Sequence, residues 1–277
     1  MIRLKKFFAV TLAVGTLTEN GLFAFADDEV YIWDGTSDVS WYDAEETELY
    51  LSTPEELAGL AEKVNAGYTM EGQTFYLTND IYLNDISDFD NWSETAPARN
   101  WTTIGDSEDT AFCGTFDGQN YTIYGMYQDG LFGYVGAEGL ISNITLSFLY
   151  INYYYNISSS VTKYVSGGIC DYLYGEIDNC NVVESNTVIK LEFTENTYIT
   201  ISLWVGCICG INEGSIKNCY NASSVEVQID DESTHYISSS SIYAKSRILY
   251  AGGVCGGNRG GNIESCGNIG DILGNIT

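Results

Sequence analysis

The sequence predicts an all-β fold: a right-handed parallel β-helix (solenoid) with an N-terminal amphipathic cap helix and lateral β-hairpin arms. The main observation is a phrase rich in Gly, Ile, Asn and Cys that recurs along the chain, with no helical spacing of its apolar residues. Self-similarity at periods of ~20–50 residues is typical of repeat architectures. The copies are GLFGYVGAEGLISNI (130–144), GGICDYLYGEIDNC (167–180), GCICGINEGSIKNC (206–219) and GGVCGGNRGGNIESC (252–266).

Aligned copies form columns that predict which side chains stack. Each coil of a parallel β-helix lies ~4.8 Å above the last, so equivalent residues lie over one another. The predicted inward columns are Ile141, Ile177, Ile216, Ile263; Phe132, Cys170, Cys209, Cys255; and Ile144, Cys180, Cys219, Cys266. A polar column, in which amides bond to one another at a bend, is predicted at Asn143, Asn179, Asn218 and Ser265.

The first 26 residues read as a signal peptide. Arg3, Lys5 and Lys6 precede a short apolar run over residues 7–17, and Ala24-Phe25-Ala26 matches an A-x-A cleavage site. The apolar run is too short to span a bilayer. We therefore expect cleavage after Ala26, a secreted or cell-surface location, and no membrane insertion after cleavage.

The charge balance is strongly acidic. The chain has 38 Asp and Glu against 11 Lys and Arg, a net charge of −27, which becomes −29 when the predicted signal peptide is removed. Nucleic acids and anionic lipids are excluded as partners, because phosphate binding needs clustered basic residues. No cofactor is predicted. Calcium is a minor alternative that stays open, although no regular calcium-binding loop is present.

Residues 27–52 are predicted to be an extended acidic lead-in, followed by a β-helix repeat domain over residues 53–277. Its cap helix, residues 53–66, begins with a capping box of Thr53 and Glu56 and with Pro54 at the first helical position. One face is apolar, with Leu57, Leu60, Ala61 and Val64. Such a helix can cover the end of a stack, where unpaired strands would otherwise recruit other chains.

Long excursions leave the repeat at equivalent points. Residues 186–204 contain two alternating apolar runs around a Glu195-Asn196 turn, which predicts a β-hairpin with one apolar face. Residues 145–165 and 225–250 hold similar material, so the arms are expected to pack side by side. The chain ends on a strand signal without a cap, and we expect an open or truncated C-terminal end.

These motifs together resemble the GLUG-motif repeat proteins. The resemblance covers roughly residues 53–268 and is carried by GLFGYVG, G-x-I-x-N-C, and the ordered blocks STPEELAGLAEKVNAG, TFYLTNDIYLN, WTTIG and FCGTFDGQNYTIYGMY. Asp171, Cys207 and Thr103 depart from the family pattern. The resemblance implies a bacterial, secreted or surface-anchored right-handed β-helix, often adhesin-like, and implies no defined reaction.

The eight cysteines leave two interpretations open. Three repeats each hold a pair, which suggests within-coil disulfides, whereas Phe132 and Ile144 at the same positions suggest buried thiols. The pairs are Cys170 with Cys180, Cys209 with Cys219, and Cys255 with Cys266. Cys113 and Cys207 have no repeat partner. No metal site is predicted, since His235 is the sole histidine.

Exposed tyrosines are the predicted ligand-binding residues: Tyr150, Tyr153, Tyr154 and Tyr155. No catalytic residue is predicted. The expected function is a non-catalytic, adhesin-like module that presents a surface to a glycan, a mucin or a protein. Two alternatives remain: a structural stalk for a further domain, and a polysaccharide-active hydrolase or lyase. The hydrolase needs two neighbouring carboxylates, for which the candidates are Asp88, Asp90, Asp106, Asp109 and Asp117.

Overall fold

The computed structural model describes residues 16–17, 23–24, 30–157, 162–193, 200–230 and 246–276. It divides into two compact units, residues 1–31 and 32–277. In the first unit, strands β1 (Thr16–Leu17) and β2 (Phe23–Ala24) pair antiparallel. Most of the predicted signal peptide, including Ala26, lies outside the described residues.

The second unit is a parallel β-helix. One long helix, α1 (Pro54–Asn65), and two short 3-10 helices, Ile86–Asn91 and Glu108–Thr110, precede most of its strands. The strands before the first repeat are β3 (Glu48–Leu51), β4 (Thr74–Leu77), β5 (Ile81–Tyr82), β6 (Thr115–Asp117) and β7 (Thr122–Tyr124). Every strand pair in this unit is parallel within the described residues, as the predicted fold requires.

Each of the first three repeats then contributes five strands, three to a body and two to a lateral extension that we call the fin, and the last contributes four, of which one belongs to the fin. The first coil comprises β8 (Phe132–Val135), β9 (Leu140–Ser142), β10 (Thr145–Ser147), β11 (Tyr150–Ile157) and β12 (Thr162–Gly167). The second comprises β13 (Cys170–Leu173), β14 (Glu176–Asp178), β15 (Asn181–Val183), β16 (Asn186–Phe193) and β17 (Thr200–Gly206). The third comprises β18 (Cys209–Asn212), β19 (Ser215–Lys217), β20 (Tyr220–Asn221), β21 (Ser224–Asp230) and β22 (Ser246–Gly252). The last comprises β23 (Cys255–Asn258), β24 (Asn262–Glu264), β25 (Gly267–Asn268) and β26 (Ile272–Ile276).

The body has three parallel sheets and the fin has two. In the body, the seven-stranded sheet runs β24-β19-β14-β9-β6-β4-β3, the six-stranded sheet β25-β20-β15-β10-β7-β5, and the four-stranded sheet β23-β18-β13-β8. In the fin, one sheet runs β11-β16-β21-β26 and the other β12-β17-β22. In each of the first three coils, the chain therefore visits each of the five sheets once.

The predicted columns are confirmed by the strand register. Cys170 pairs with Phe132 on one side and Cys209 on the other, and Cys209 pairs with Cys255. Ile177 lies between Ile141 and Ile216 in the same way, and all three are fully buried. The apolar core therefore continues from coil to coil as far as Ile216. Ile263 is the register partner of Ile216 but is 39% exposed, because β24 is the edge strand of its sheet within the described residues, so the predicted burial of Ile263 is wrong.

The predicted asparagine column occupies a sharp corner of the body. Asn143, Asn179 and Asn218 all have a positive φ, near +53°, which asparagine tolerates better than most residues. The Asn179 Nδ2 group donates to Asn143 Oδ1 at 2.8 Å, and Asn218 Nδ2 donates to Asp178 Oδ1 at 2.8 Å. The amides thus satisfy one another or neighbouring carboxylates across coils.

The cap helix forms as predicted. Glu56 donates its backbone N–H to Thr53 Oγ1 at 3.3 Å, and the Glu56 carboxylate accepts from the Thr53 backbone at 3.1 Å, which completes the capping box. The residues of its apolar face are buried in the main core: Leu57, Leu60, Ala61 and Val64. The helix therefore closes the N-terminal end of that core.

The predicted lead-in, residues 27–52, contributes both a strand and a core residue to the β-helix. Its last residues form β3, the outermost strand of the seven-stranded sheet, and Trp33 is buried against Trp101. The backbone around Asp38 packs against the outside of α1 at Gly59. A Cβ added to Gly59 would approach the Asp38 carbonyl oxygen to 1.9 Å. The absence of a side chain at Gly59 permits this contact.

The arms leave the body as predicted, but their pairing differs from a hairpin. Within the described residues, β16 and β17 of one excursion belong to different sheets, and each pairs in parallel with the equivalent strands of neighbouring coils. Ile189, Val227 and Leu203 point into the core shared with the body, while Lys190 is exposed. The fin strands pair with the equivalent strands of neighbouring coils because the coils are already stacked in register by the body. This pairing takes the place of the predicted pairing within one hairpin.

Candidate functional site

The tyrosines predicted to bind ligand do not form one exposed face. Tyr150 is 5% exposed and packs with Phe89 and Tyr127, so burial removes it from any binding surface. Tyr153 is partly buried and donates its hydroxyl to the Asp129 carboxylate. The side chains of Tyr154 and Tyr155 lie outside the described residues.

An exposed aromatic pair instead lies on β3 and β4. Alternation places Leu49, Leu51 and Phe75 in the core and turns Tyr50 and Tyr76 outward. These two tyrosines are register partners, with ring centroids 5.5 Å apart and planes inclined by 25°. Tyr50 is 57% exposed, so its ring is available to a ligand.

The two rings form part of an open groove of about 420 Å³, which we call the tyrosine groove. Its lining residues are Glu48, Tyr50, Tyr76, Leu77, Thr78, Gln119 and Tyr121. Partial desolvation raises the pKa of Tyr76, and the Glu48 and Asp117 carboxylates raise it further. The Tyr76 phenol is therefore a protonated hydrogen-bond donor at neutral pH.

A tight turn holds Gln119 at the edge of the groove. Gln119 has a φ of +51° and donates its backbone N–H to Asp117 Oδ1 at 2.9 Å. Its side-chain Nε2 donates to Asp117 Oδ2 at 2.6 Å, and Asn143 Nδ2 also donates to Asp117 Oδ1, at 2.9 Å. Asp117 therefore holds both the turn and the asparagine corner in place, and the side-chain amide oxygen of Gln119 is a group that can accept a hydrogen bond.

The groove combines flat apolar ring faces with carboxylate, amide and hydroxyl groups. Such rings can stack against the C–H faces of a sugar, and the polar groups can exchange hydrogen bonds with its hydroxyls. Sequence reasoning missed these residues because it treated residues 27–52 as a lead-in. The alternation in ELYL (48–51) and TFYL (74–77) is the signal that identifies the two outward tyrosines.

The structure holds all eight cysteines as free thiols, of which five are buried, and the choice between disulfides and buried thiols stays a prediction. The cysteine–cysteine contacts run between coils: Cys170 Sγ lies 3.7 Å from Cys209 Sγ, and the Cys219 backbone N lies 3.5 Å from Cys266 Sγ. A covalent S–S bond is ~2.05 Å long. Burial raises the pKa of Cys207 to about 12.

Buried thiols of this kind should resist alkylation. In the native chain near neutral pH, we expect iodoacetamide to modify partly exposed Cys113 before fully buried Cys207, because the thiolate is the reacting species. Peptide mass spectrometry after timed labelling measures this order, with the denatured chain as the control for intrinsic reactivity. Equal native rates at the two residues, or disulfide-linked peptides from the unreduced chain, would contradict the free-thiol arrangement.

Two further carboxylates lie where the fin joins the body. Burial raises the pKa of Asp129, an effect that the hydrogen bond from Tyr153 partly offsets. Burial also raises the pKa of Asp171 well above its usual range; the 2.9 Å bond from the Gly167 backbone N–H opposes this, and the nearby Asp129 charge adds to it. Neither has an ion-pair partner within the described residues.

Several acids considered for catalysis serve local turns. Asp106 accepts from Thr110 Oγ1 at 2.8 Å, and Asp88 accepts from the Asn91 side chain. His235 lies outside the described residues. Among the side chains that the structure describes, no group of three or more His, Cys, Asp or Glu residues is placed to hold a metal ion. In the same part of the chain, no helix has the length and apolar character needed to cross a membrane.

Comparison with known proteins gives little further information. No protein-family model and no curated protein matches the chain. Among solved structures, it is similar to the crystal structure of a candidate immunoglobulin A1 protease from Bacteroides ovatus. The sequences are 14% identical, the match covers 83% of this chain and 84% of that one, and the TM-score is 0.39. The description of the fold therefore rests on the strand pairing itself.

Proposed function

We propose that this chain is an exported, non-catalytic binding module of the adhesin-like kind, and that the tyrosine groove is its glycan-binding site. The observation that carries the proposal is the stacked pair of exposed Tyr50 and half-buried Tyr76 beside Glu48 and Gln119. Ring faces at fixed spacing with hydrogen-bonding groups at their edges suit a neutral saccharide. Export and membership of the GLUG-motif repeat proteins are parts of the same proposal.

The solenoid holds the two groove tyrosines in fixed positions. Tyr50 and Tyr76 project from adjacent strands whose opposite faces are anchored in the core by Leu49, Leu51 and Phe75. The rings are therefore held in place before a ligand arrives, which reduces the ordering cost of binding. Several such chains on one surface would bind a polymeric glycan or mucin more tightly than one chain does, through avidity.

A polysaccharide-active enzyme is the second candidate. Glycoside hydrolysis needs two carboxyl groups roughly 5–10 Å apart on either side of the scissile bond. Glu48 is the one acid among the residues lining the groove, and the adjacent Asp117 already accepts three hydrogen bonds from Gln119 and Asn143. This arrangement favours binding over hydrolysis. Release of reducing sugar that is lost in Glu48→Gln would favour the enzyme instead.

The test is binding of the full chain to an array of neutral glycans and mucins, with and without calcium. We expect selective binding that weakens ~10-fold in each of Tyr50→Ala and Tyr76→Ala, which corresponds to ~1.4 kcal/mol of lost stacking. Tyr220→Ala is the matched control, because Tyr220 is also exposed, at 37%, but lies on the six-stranded sheet outside the groove.

The outcomes separate the alternatives. Binding that persists in both groove variants would place the glycan site elsewhere. An equal loss in Tyr220→Ala would indicate a general effect of removing surface tyrosines. Absence of binding to every glycan and mucin, with and without calcium, would contradict the proposal and favour a structural stalk.

A further inference from the structure

A second cluster of aromatic residues lies in the corner between the fin and the body. Tyr134 on β8 and Tyr172 on β13 are register partners whose rings stack at 4.4 Å with planes inclined by 7°. Trp204 on β17 stacks on Tyr250 of β22 at 5.6 Å. The side chain of Trp204 lies over Gly257, where an added Cβ would approach its ring to 2.5 Å.

Two cations converge on this cluster. The Lys163 ammonium lies 4.6 Å from the centroid of the Tyr172 ring and 5.3 Å from that of Trp204. The Arg259 guanidinium lies 4.6 Å from the centroid of Trp204. Both side chains belong to exposed residues. We call these residues the basic corner: Tyr134, Lys163, Tyr172, Trp204, Tyr250 and Arg259.

The two positive charges lie together without a direct counter-ion. Within the described residues, neither Lys163 nor Arg259 has a carboxylate within 4.0 Å, whereas Lys217 pairs with Glu176 at 2.7 Å. Partial burial and then the Arg259 charge lower the pKa of Lys163, and Glu213 and Glu108 offset part of this effect. Glu213 and Glu108 act on Lys163 from beyond ion-pair distance, so the two cations at this ring are not directly neutralised, although the chain has a net charge of −27.

We propose that the basic corner is a second binding site, which takes a sugar carrying one anionic group, a carboxylate or a sulfate. The anionic group would contact the Lys163 ammonium and the Arg259 guanidinium beside the Trp204 ring, and the sugar ring would lie against the exposed parts of the tyrosines. The aromatic rings supply the apolar contact with the sugar. Because each cation has a ring on only part of its surface, its remaining N–H groups can donate hydrogen bonds to the anionic group.

The surrounding acids limit the ligand to one charge. Glu213 and Glu108 lie close enough to act on Lys163, and the rest of the surface is acidic. The further charges of a polyanion would come within the ~8 Å Debye length of these acids and be repelled, whereas a single anionic group would contact the two cations alone. The Glu213 carboxylate can in addition accept from a neutral hydroxyl of the same sugar. The proposal does not depend on the tyrosine groove, because no residue is shared between the two sites.

The experiment follows Trp204 directly in the full chain. Tryptophan is replaced biosynthetically by 5-fluorotryptophan, and the fluorine resonance of Trp204 is assigned with Trp204→Phe. N-acetylneuraminic acid, glucuronic acid and N-acetylglucosamine 6-sulfate are titrated, with N-acetylglucosamine as the neutral probe. We expect the Trp204 resonance to shift with at least one acidic sugar and not with the neutral one. The carboxylate and sulfate arms identify which anionic group is preferred.

Charge-removing variants locate the site. Lys163→Met and Arg259→Met keep the apolar stem of each side chain, and each is expected to weaken binding ~10-fold, with a further loss at high salt. Lys190→Met is the matched control, because Lys190 is an exposed lysine on the other sheet of the fin. The resonances of Trp33 and Trp101 report whether each variant remains folded, since these rings pack in the distant core.

Three results would overturn the proposal: no shift of the Trp204 resonance with any acidic sugar, an equal shift with the neutral sugar, or an equal loss of affinity in Lys190→Met. Tyr50→Ala separates this site from the tyrosine groove, since it is expected to leave binding at the basic corner unchanged. Failure of neutral glycan binding at the groove would thus leave this test intact, and the reverse also holds.

Discussion

Replacing Phe132 by cysteine is expected to lower the free energy of unfolding by about 3 kcal/mol, although cysteine is the residue that the next three coils use at this position. Phe132 is fully buried, and its ring lies 5.1 Å from that of Phe112 and 5.6 Å from that of Phe116. The shorter side chain would leave a cavity in this aromatic cluster, and rigid neighbouring strands could not collapse to fill it.

Thermal or urea unfolding measures the effect, with an expected fall in Tm of roughly 5–10 °C. Cys170→Ala, one coil further along the same column, is the control and should cost no more than about 1 kcal/mol, because it removes one thiol. A loss of about 1 kcal/mol or less for Phe132→Cys would mean that the column tolerates either residue and that the aromatic cluster is not a packing unit.

The second large effect concerns pH. Asp129 and Asp171 have pKa values raised above ~3.9, the value expected in the unfolded chain. The folded state therefore holds protons that the unfolded state releases. This contribution to stability is present at acidic pH and is lost as the pH rises through the folded-state pKa values. We expect Asp171→Asn to stabilise the chain at about pH 7 by ~1–3 kcal/mol, because on folding Asp171 must either take up a proton that the unfolded chain releases or bury its charge, and asparagine does neither.

The measurement compares Tm for the wild-type chain and Asp171→Asn at about pH 4 and about pH 7. The gain should be larger at the higher pH, and asparagine can still accept the Gly167 hydrogen bond. Asp109→Asn, an exposed acid on a 3-10 helix, is the control for the loss of one surface charge. A gain that is the same at both pH values, or a loss at about pH 7, would show that Asp171 is not held protonated by its surroundings.

The sequence predicted those parts of the fold that repeat. The stacking of Ile141, Ile177 and Ile216, the asparagine corner and the cap helix all follow from local patterns or from column alignment, and the strand register confirms them. The fin was predicted as hairpins because alternation within residues 186–204 shows two strands but not which partner each chooses. That choice depends on neighbouring coils, which are distant in sequence.

The candidate sites were less accessible to sequence reasoning. Tyr150 looked exposed because it lies in a tyrosine-rich segment, but residues around Phe89, from an earlier 3-10 helix, cover it. Tyr50 and Tyr76 meet only because a helix intervenes between parallel strands. The basic corner joins Lys163, Trp204 and Arg259 from successive coils. In each case the site depends on a contact between residues that are far apart in sequence, and no local sequence pattern predicts that contact.

The register of the coils determines how the length of this protein can change during evolution. Cys170 and Cys209 occupy the same position one coil apart, 39 residues along the chain. A gene segment that encodes residues 170–208 could therefore be duplicated or lost in frame, and the flanking strands would still meet partners of the same kind. Each such event would shift everything beyond it by ~4.8 Å along the axis. Because Tyr172 and Trp204 lie within this segment, such an event would add or remove aromatic rings of the basic corner, whereas the tyrosine groove, lined by residues that precede the segment, would keep all of its residues.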